Sequence, residues 1–321
     1  MAQAAVLRYL RKTHGDSVTR HELETHTKLD KNIISECLGE LISAGAVIDE
    51  TKGCVLVSVP DLLFPANILS GLETKIMGRE IHCFKTIGST NEVAKRLAES
   101  GLPEGTMVIA EKQSKGRGRL GRQWHSPSGK GLYFSIILRP QMPFDRFMGL
   151  SLVTSLALCK SIEHETNLKA MIKWPNDCLV GGKKVAGILV ELSAEIDRIS
   201  YAILGVGINV NTSKREFPVG LRSKVTSLAI EQGQEIDRMK LLWRTLSEIE
   251  RHYQHFQRLG LRSKGPELSK RSVVLGKRID VRFGKNKIQG VVTGFDQNGA
   301  IRLHTRGGVE IISAGEVTLR K

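Results

Sequence analysis

The first 62 residues carry three apolar stripes at helical spacing, separated by turns. The stripes predict a first helix that ends near Gly15, a second helix capped by Thr19 and a third capped by Asp30. Two short apolar runs on either side of Gly53 predict a β-hairpin. Helices, a turn and a hairpin in this order are typical of a winged helix-turn-helix, so we predict such a domain over residues 1–62.

The helix-turn-helix, about residues 20–39, is the part of this domain that would read operator DNA. We expect four polar side chains near the start of its third helix to contact the DNA, namely Thr27, Lys28, Lys31 and Asn32. Residues 1–62 hold seven Lys/Arg and nine Asp/Glu, and this net charge of −2 weakens attraction to phosphate. Dimerisation would compensate for this weak attraction, because the binding energies of two DNA half-sites add. The alternative is a winged-helix module that makes protein contacts or has no DNA role.

After a linker bounded by prolines, Pro60–Pro65, the pattern changes to long apolar runs and amphipathic stretches. These predict strands at 106–110, 132–138, 171–174, 186–191 and 202–210, a helix at 147–165 and a long helix that ends near Gly260. From about Arg271, short strands separated by tight turns predict a small β-barrel. The predicted fold class is α+β, with a second domain over 66–270 and a third over 271–321.

The composition, with 40% hydrophobic and 25% charged residues, is that of an ordinary globular protein. No apolar run is long enough to span a membrane and no signal-peptide pattern begins the chain, so we expect a cytoplasmic protein. Five scattered cysteines without a Cys-x-x-Cys pair fit a reducing compartment and offer no zinc site. Most of the net charge of +15 lies in the middle of the chain, which favours anionic small molecules or an acidic protein partner.

The segment Gln113–Trp124 has the most distinctive composition of the chain. Three glycines alternate with three arginines in it, at Gly116, Arg117, Gly118, Arg119, Gly121 and Arg122. Glycine lets the backbone approach a ligand closely, and arginine provides a planar cation that matches carboxylate and phosphate. The segment therefore predicts an anion-binding loop that becomes ordered on its ligand. A basic turn and a nucleic-acid contact of the Arg-Gly type are the alternatives.

Further candidate residues lie before and after this loop. Ser89 and Glu92 fit a capping box, which is a purely structural role, although Ser89, Thr90 and Asn91 also form a polar cluster suited to a ligand's carbonyl oxygen. Lys184 follows a Gly-Gly turn, where a lysine is usually a solvated surface residue but could also be a fixed cation.

The remaining polar candidates are Asn176 and Asp177, which follow a Trp-Pro pair, and Asn209 at the end of a predicted strand. A carboxylate and an amide on a rigid corner could hold Mg²⁺ or a ribose. No Ser/His/Asp triad and no His-rich metal motif is evident. A cationic, polar constellation without a protein nucleophile indicates acyl-adenylate chemistry, in which a carboxylate is joined to a phosphate.

Four motifs in this order resemble the biotin–protein ligase family. They are Gly116–Arg122 with Trp124, Lys173–Asp177, Lys184–Glu191 and Gly205–Asn211, and Ser89-Thr90-Asn91 lies in the expected place before them. The four-part pattern is highly specific, and the resemblance covers essentially the full chain. It is closest to the bifunctional form that is both ligase and biotin operon repressor. Leu120 stands where a further basic residue is common in the family.

The resemblance implies a two-step ligase. Biotin and ATP, with Mg²⁺, would give biotinyl-5′-AMP and diphosphate, and a lysine of a biotin carboxyl carrier protein, an acetyl-CoA carboxylase subunit, would then accept the biotin. The family pattern assigns the biotin-binding role to Ser89, Thr90, Asn91, Gln113, Arg117, Gly118, Arg119 and Lys184. It makes Arg117, Arg119 and Lys184 catalytic, and it assigns the nucleotide to Trp124, Asn176, Asp177, Asn209 and Arg320. No metal ligand is assigned.

The resemblance also implies a fold and further partners. The central domain would have a mixed sheet like that of class II aminoacyl-tRNA synthetases, followed by an SH3-like barrel. Biotin operator DNA would be bound by a homodimer that forms when the adenylate is present. Two alternatives are a biotin-responsive transcription regulator with little ligase activity and a lipoate or octanoyl ligase. The latter family has a Gly-rich signature ending in a His-Asp pair, which we do not find.

Overall fold

The computed structural model describes residues 1–143, 146–195, 198–284 and 286–320. Its first part has three helices and a two-stranded antiparallel sheet, α1 (Ala2–Lys12), α2 (Arg20–Thr27), α3 (Lys31–Ser43), β1 (Val47–Asp49) and β2 (Val55–Ser58). Thr19 caps α2 in a capping box with Glu22, and the Asp30 carboxylate accepts two backbone N–H groups at the start of α3. The predicted helices, caps and hairpin are therefore confirmed.

The apolar residues of this part form a core of their own. Leu7, Leu10, Leu23, Ile34 and Leu38 are all almost completely buried in it. These are residues that the helical spacing places on the inner faces, so burial of the stripes stabilises the three-helix arrangement.

The middle of the chain forms a mixed seven-stranded sheet with helices on both faces. Its elements are α4 (Pro65–Ser70), β3 (Ile81–Phe84), α5 (Thr90–Glu99), β4 (Met107–Ala110), β5 (Gly131–Leu138), α6 (Phe147–Thr166), β6 (Ala170–Lys173), β7 (Asp177–Val180), β8 (Lys183–Glu195), β9 (Arg198–Asn209), α7 (Leu228–Gln232), α8 (Arg238–Leu259) and α9 (Gly265–Arg271). The strand order is β3-β4-β5-β9-β8-β7-β6, in which only β3 and β4 run parallel. Gly181 and Gly182, both with positive φ, make the tight turn between β7 and β8 as predicted.

The two faces of this sheet are covered differently. On one face, Val108, Ile137 and Ile203 pack against Ala94 and Ala98 of α5. The other face is covered by α6 and α8, which pack on each other. Because side chains alternate along a strand, every second residue of β9 beyond Ile203 lies on the α5 face. There, beyond the N-terminal start of α5, the sheet surface is open to the candidate site.

The C-terminal part is a five-stranded antiparallel sheet. It contains β10 (Arg278–Phe283), β11 (Asn286–Phe295), β12 (Ile301–Thr305), β13 (Gly308–Ile312) and β14 (Glu316–Leu319) in the order β13-β12-β11-β10-β14. Its buried residues are continuous with the core of the central part. The buried Trp174 donates its indole N–H to the backbone oxygen of Gly299, at 2.9 Å. The short strands predicted from about Arg271 are present, and β14 lies against the candidate site.

One buried cation, Arg238, fastens the linker to the central sheet. Its guanidinium is fully buried and donates to both carboxylate oxygens of Asp61, to both of Glu111 and to the backbone oxygen of Gly131. Glu111 follows β4 and also accepts the backbone N–H of Leu63 at 2.7 Å. Arg238 therefore ties the Pro60–Pro65 segment to Glu111 and Gly131, which lie on either side of the Gly/Arg loop, Gln113–Trp124.

Within the described part of the chain, no helix is both long and apolar enough to cross a membrane.

Candidate active site

A cavity of about 610 Å³ lies between the open surface of the central sheet, the Gly/Arg loop and β14. Twelve predicted site residues line it together: Ser89, Thr90, Asn91, Gln113, Arg117, Gly118, Arg119, Trp124, Asn176, Asp177, Lys184 and Asn209. They come from five separate stretches of the chain, with Gln113–Trp124 counted as one. Arg320 is not in the lining, and its guanidinium instead binds the Asp280 carboxylate at 2.8 Å. Its predicted nucleotide contact stays a prediction.

At one end of the cavity, side chains from the start of α5 form a polar network. Thr90 donates its backbone N–H to Oε1 of Gln113 at 2.9 Å, and its hydroxyl lies 3.1 Å from the same atom. Gln113 donates in turn to the Ser126 hydroxyl at 3.0 Å. The predicted capping box at Ser89 is wrong, because the Ser89 side chain makes no capping hydrogen bond. Gln113 takes that role from the loop, which leaves the hydroxyl of Ser89 free of the helix end.

Asn91 lies at the centre of this network. Its Nδ2 donates to Oε2 of Glu191 at 2.7 Å, and its Oδ1 accepts from the fully buried Ser135 hydroxyl at 2.6 Å. Ser135 is also 2.8 Å from the Thr90 hydroxyl. The amide of Asn91 is therefore held in one orientation from two sides.

The floor of the cavity is made of glycines on the face of β9 and β8. A Cβ atom on Gly205 would lie 2.2 Å from Oδ1 of Asn91, and one on Gly207 would lie 2.6 Å from the Trp124 ring. A Cβ on Gly187, which pairs with Gly207, would approach both Lys184 and Trp124 at about 3.0 Å. Only glycine allows these side chains to lie flat on the sheet, which explains why two glycines interrupt an otherwise apolar strand.

Lys184 is a fixed cation rather than a solvated surface lysine. Its Nζ lies 2.5 Å from Oδ1 of Asp177 and 5.1 Å from the centre of the Trp124 ring, and its side chain is 27% exposed. Asp177 pairs with Gly187 of the neighbouring strand, and Lys184 is the second residue of that strand, just after the Gly-Gly turn. The hairpin thus places a lysine, a carboxylate and an aromatic ring around one point.

The Gly/Arg loop folds over these groups and is held through its arginines. Arg117 pairs with Glu191 at 3.1 Å, Arg119 donates to Oδ1 of Asn176 at 3.1 Å, and Arg122 pairs with Glu316 of β14. Burial lowers the pKa of Arg119, opposed by the nearby Asp177 and Glu316 carboxylates, but a guanidinium stays charged at any physiological pH.

Sequence reasoning missed several residues of the site. Lys173 and Lys224 add two cations to the lining, and Glu316 brings a carboxylate from the C-terminal sheet. Ser135 and Glu191 lie behind the lining and hold Asn91. Glu191 is the last residue of the motif Lys184–Glu191, and Lys173 is the first of Lys173–Asp177. The motifs therefore contained both residues, although neither was assigned a role. Ser135, inside a continuous apolar strand, is the polar exception that could have drawn attention to it.

The electrostatics of the cavity suit a doubly anionic ligand. Its lining contains six Lys/Arg side chains and only two carboxylates, Asp177 and Glu316. One of those carboxylates is bound to Lys184 and the other to Arg122. The polar network at one end and the cations at the other can bind a neutral polar head group and a carboxylate next to a phosphate.

The described residues form no group of three or more His, Cys, Asp or Glu side chains that could hold a metal ion. Asp177 is the predicted carboxylate for such a role, and it is already paired with Lys184. The donors present do not fit a metal site built by the protein alone, because Mg²⁺ needs about six oxygen ligands.

The four residues predicted to contact DNA lie together in the first part of the chain. Thr27 ends α2, Lys28 follows it in the left-handed conformation at φ 58°, and Lys31 and Asn32 begin α3. Lys28, Lys31 and Asn32 are exposed, while the Thr27 hydroxyl donates to the backbone oxygen of Leu23.

Comparison with known proteins gives the same assignment as the geometry. A model of the biotin/lipoate A/B protein ligase family matches residues 83–209, and a model of the biotin protein ligase C-terminal domain matches residues 274–320. The bifunctional ligase/repressor BirA of Bacillus spizizenii is 36% identical over 84% of this chain and 82% of its own length. The chain belongs to the biotin protein ligase family. The BirA protein of Escherichia coli is 31% identical over the same shares of the two chains.

Solved structures of this family show the same fold. A biotin protein ligase from Aquifex aeolicus, in complex with biotin and ATP, superposes with a TM-score of 0.66 at 33% identity and covers 76% of this chain and 99% of its own. The predicted family, the predicted ligase and the mixed central sheet followed by an antiparallel C-terminal sheet are thereby confirmed. The two family models both lie outside the first 82 residues.

Proposed function

We propose that the protein is a biotin–protein ligase that makes biotinyl-5′-AMP from biotin and ATP and then transfers the biotin to a lysine of a biotin carboxyl carrier protein. The observation that carries this proposal is a single cavity with a polar head pocket at Asn91 and a cluster of cations around Lys184 and Arg119. The polar pocket has the hydrogen-bonding groups that a ureido group needs, and the cations have the charge that suits a carboxylate next to a phosphate. Biotin and ATP are substrates, as in the Aquifex aeolicus complex.

In this proposal the polar end binds the ring system of biotin. The ureido carbonyl oxygen accepts hydrogen bonds from Ser89 and Asn91, beside Thr90, and the glycine floor accommodates the fused rings. Gln113 orients Thr90 through the two contacts described above. Gly118, whose backbone lies in the loop over the cavity, allows close approach to the ligand.

The first step takes place at the cationic end. A carboxylate oxygen of biotin attacks the α-phosphorus of ATP, the bond from that phosphorus to the bridging oxygen breaks, and diphosphate leaves with the electron pair. Arg117, Arg119 and Lys184 stabilise the negative charge that develops on the phosphoryl oxygens. None of them needs to transfer a proton, which agrees with an arginine being unable to act as an acid or base.

The nucleotide lies beside these cations. Trp124 stacks on adenine after the loop closes, and Asn176, Asp177 and Asn209 face the ribose and phosphates. Asn176 is fixed for this role by its Nδ2, which donates to the backbone oxygen of Ile188 at 2.8 Å, and by Arg119 on its Oδ1. Asn209 is fixed by donation to the backbone oxygen of Thr226 at 3.0 Å. Arg320 would have to leave Asp280 to reach ATP.

Magnesium belongs to this proposal as the ion that accompanies ATP. Since the described donors do not build a complete site, most of its ligands would be phosphate oxygens and water. It supplies charge neutralisation on the phosphates, and the steps derived for the protein's own residues do not depend on its position.

In the second step the carrier lysine, as a free amine, attacks the acyl carbon of biotinyl-AMP and AMP leaves. The closed loop excludes water, which would otherwise hydrolyse the mixed anhydride. The cavity supplies mainly proximity for this reaction. Biotin--[acetyl-CoA-carboxylase] ligase is the name of a relative from Mycobacterium tuberculosis, 31% identical over 74% of this chain, which supports a carrier subunit of that carboxylase as the acceptor.

Biotin-dependent exchange of radiolabelled diphosphate into ATP tests the first step without a carrier. We expect exchange with biotin, little without it, and none with lipoate in its place. Equal exchange with lipoate would favour a lipoate ligase, and no exchange with any acid would favour the alternative of a regulator with little ligase activity.

We further propose that residues 1–62 form a winged helix-turn-helix domain that represses biotin synthesis genes. Its support is the element order, the exposed side chains of Lys28, Lys31 and Asn32, and the ligase/repressor names of the relatives. Operator DNA is bound by a homodimer of adenylate-bound chains in this proposal. A footprint at low salt, with adenylate saturating, should show protection that weakens as salt rises, and absence of specific protection would leave the domain a structural role.

The finer description of the fold belongs to the same proposal. We place the domain boundaries at 1–62, 66–270 and 271–321, with a central domain akin to class II aminoacyl-tRNA synthetases and an SH3-like C-terminal barrel. Limited proteolysis should cut near residue 271 before it cuts the linker at 60–65, which the Arg238 contacts protect.

A further inference from the structure

Glu191 lies on β8, behind the cavity, and touches two functional elements at once. Its Oε2 accepts from Nδ2 of Asn91 at 2.7 Å, and its Oε1 lies 3.1 Å from the guanidinium of Arg117. Glu191 is not among the residues that line the cavity. Since it pairs with Ile203 across the sheet, its side chain lies on the α5 face, where Asn91 begins that helix.

The contact with Asn91 decides which way the amide points. An ionised carboxylate only accepts hydrogen bonds, so the nitrogen of Asn91 must face Glu191. The amide oxygen then faces Ser135, whose buried hydroxyl donates to it. One N–H of Asn91 remains for a ligand, and this donor suits the carbonyl oxygen of a cyclic urea. A reversed amide would present its oxygen to that carbonyl oxygen instead.

The contact with Arg117 connects the same carboxylate to the loop. Arg117 is 49% exposed in its side chain and Glu191 is 34% exposed, so the ion pair alone contributes little to stability. The ion pair matters for the geometry of the site, because one carboxylate holds Arg117 of the loop and the amide of Asn91 at a fixed separation. The loop and the head pocket are otherwise joined in this region through Gln113 and Thr90.

We infer that Glu191 is a positioning residue with two roles. It turns the N–H group of Asn91 toward the ureido group of biotin, and it holds the Gly/Arg loop in place through Arg117. This inference rests on the proposed ligase function. Glu191 then affects how tightly the protein binds biotin and how long it retains biotinyl-AMP. Of the three residues that stabilise the phosphoryl charge, Glu191 contacts only Arg117, and an uncharged side chain of the same shape still offers Arg117 an oxygen acceptor.

Glu191→Gln is the discriminating variant. It keeps the shape of the side chain but replaces a carboxylate, which only accepts hydrogen bonds, with an amide that also donates them. A glutamine NH₂ can face Asn91 and reverse its amide. We expect the KM for biotin in diphosphate exchange to rise about tenfold, or ~1.4 kcal/mol, with kcat within about twofold of wild type. The rate at which biotinyl-AMP leaves the enzyme should also rise, by several-fold, and Glu191→Asp should restore part of both properties.

Glu163→Gln is the matched control. Glu163 likewise holds an arginine, Arg271, and accepts a backbone N–H from Ala170, and none of the three lines the cavity. This variant should keep the wild-type KM for biotin. If both variants raise KM equally, or if Glu191→Gln leaves both KM and adenylate release unchanged, the inference is overturned.

A double variant tests whether Glu191 acts through Asn91. In an Asn91→Ala background, adding Glu191→Gln should raise the KM for biotin much less than in the wild-type background, because only the contact with Arg117 is then left to lose. Independent, multiplicative effects on KM would contradict the positioning role. Failure of wild-type protein to exchange diphosphate at all would instead refute the proposed function, so the two failures are distinguishable.

Discussion

Replacing Arg238 with methionine should destabilise the protein more than the loss of any surface ion pair. The guanidinium is fully buried and donates to Asp61 at 2.8 and 3.0 Å, to Glu111 at 2.8 and 3.4 Å and to the Gly131 oxygen at 3.1 Å. Burial alone would lower the pKa of Arg238, but hydrogen bonds to Asp61 and Glu111 raise it above its ordinary value. The cation is therefore well compensated in the folded state.

The loss of stability in Arg238→Met depends on which of the two carboxylate partners stays buried. The Asp61 side chain is 49% exposed, and water can solvate it once Arg238 is gone. Glu111 is only 8% exposed and would keep a single described donor, the N–H of Leu63. Leaving a buried charge without its partner costs about 3–5 kcal/mol, against about 0–1 kcal/mol for an exposed pair. We expect a loss of ~3–5 kcal/mol in the free energy of unfolding.

Urea denaturation followed by circular dichroism measures this loss. Glu111→Gln in the Arg238→Met background removes the stranded charge and keeps the acceptor for Leu63, so it should recover about 1–2 kcal/mol. Arg244→Met, which breaks a pair with Glu165 at a site 38% exposed, is the control and should cost less than about 1 kcal/mol. A loss below 1 kcal/mol for Arg238→Met, or no recovery in the double variant, would refute the reasoning.

Three further variants test the cavity. Lys184→Ala should lower biotin-dependent diphosphate exchange by about 10²–10³-fold, since it removes a fixed cation from the developing phosphoryl charge, and exchange at the wild-type rate would end its catalytic role. Arg119→Gly should speed the release of biotinyl-AMP, measured by dissociation of labelled adenylate, because the loop loses its bond to Asn176. Unchanged dissociation would contradict this. Gly205→Ala places a Cβ 2.2 Å from Oδ1 of Asn91 and should raise the KM for biotin about tenfold or more. Gly39→Ala, with nothing near its Cβ, is the control and should leave KM unchanged.

Features that depend on neighbours in sequence were predictable. Asp30 caps α3 and Gly260 follows the last residue of α8, because caps act within one turn of the chain. The strand Gly131–Leu138 is buried at every residue, and a continuous apolar run is the pattern that such a strand leaves. Most of the predicted cavity residues could be named for another reason, because four motifs with fixed spacing contain them.

Features that depend on distant residues were not predictable in this way. Arg238 binds Asp61, 177 residues away, and Glu111, 127 residues away, and no local pattern marks such partners. Ser89 followed by Glu92 has the spacing of a capping box, yet Gln113, 23 residues from Thr90, occupies the helix end instead. Tertiary contacts override local preference at such positions. The same holds for Glu191, whose two partners lie 100 and 74 positions earlier in the chain.

The most direct test of the central claim is the mass of a carrier domain after incubation with the protein, biotin, ATP and Mg²⁺. We predict that a biotin carboxyl carrier domain gains the mass of one biotinyl group, on its acceptor lysine, that no gain occurs when ATP is omitted, and that the gain is about 10²–10³-fold slower when Lys184 is replaced by alanine. A carrier of unchanged mass, under conditions in which the protein binds biotin, would contradict the proposal that this cavity joins biotin to AMP for transfer to protein.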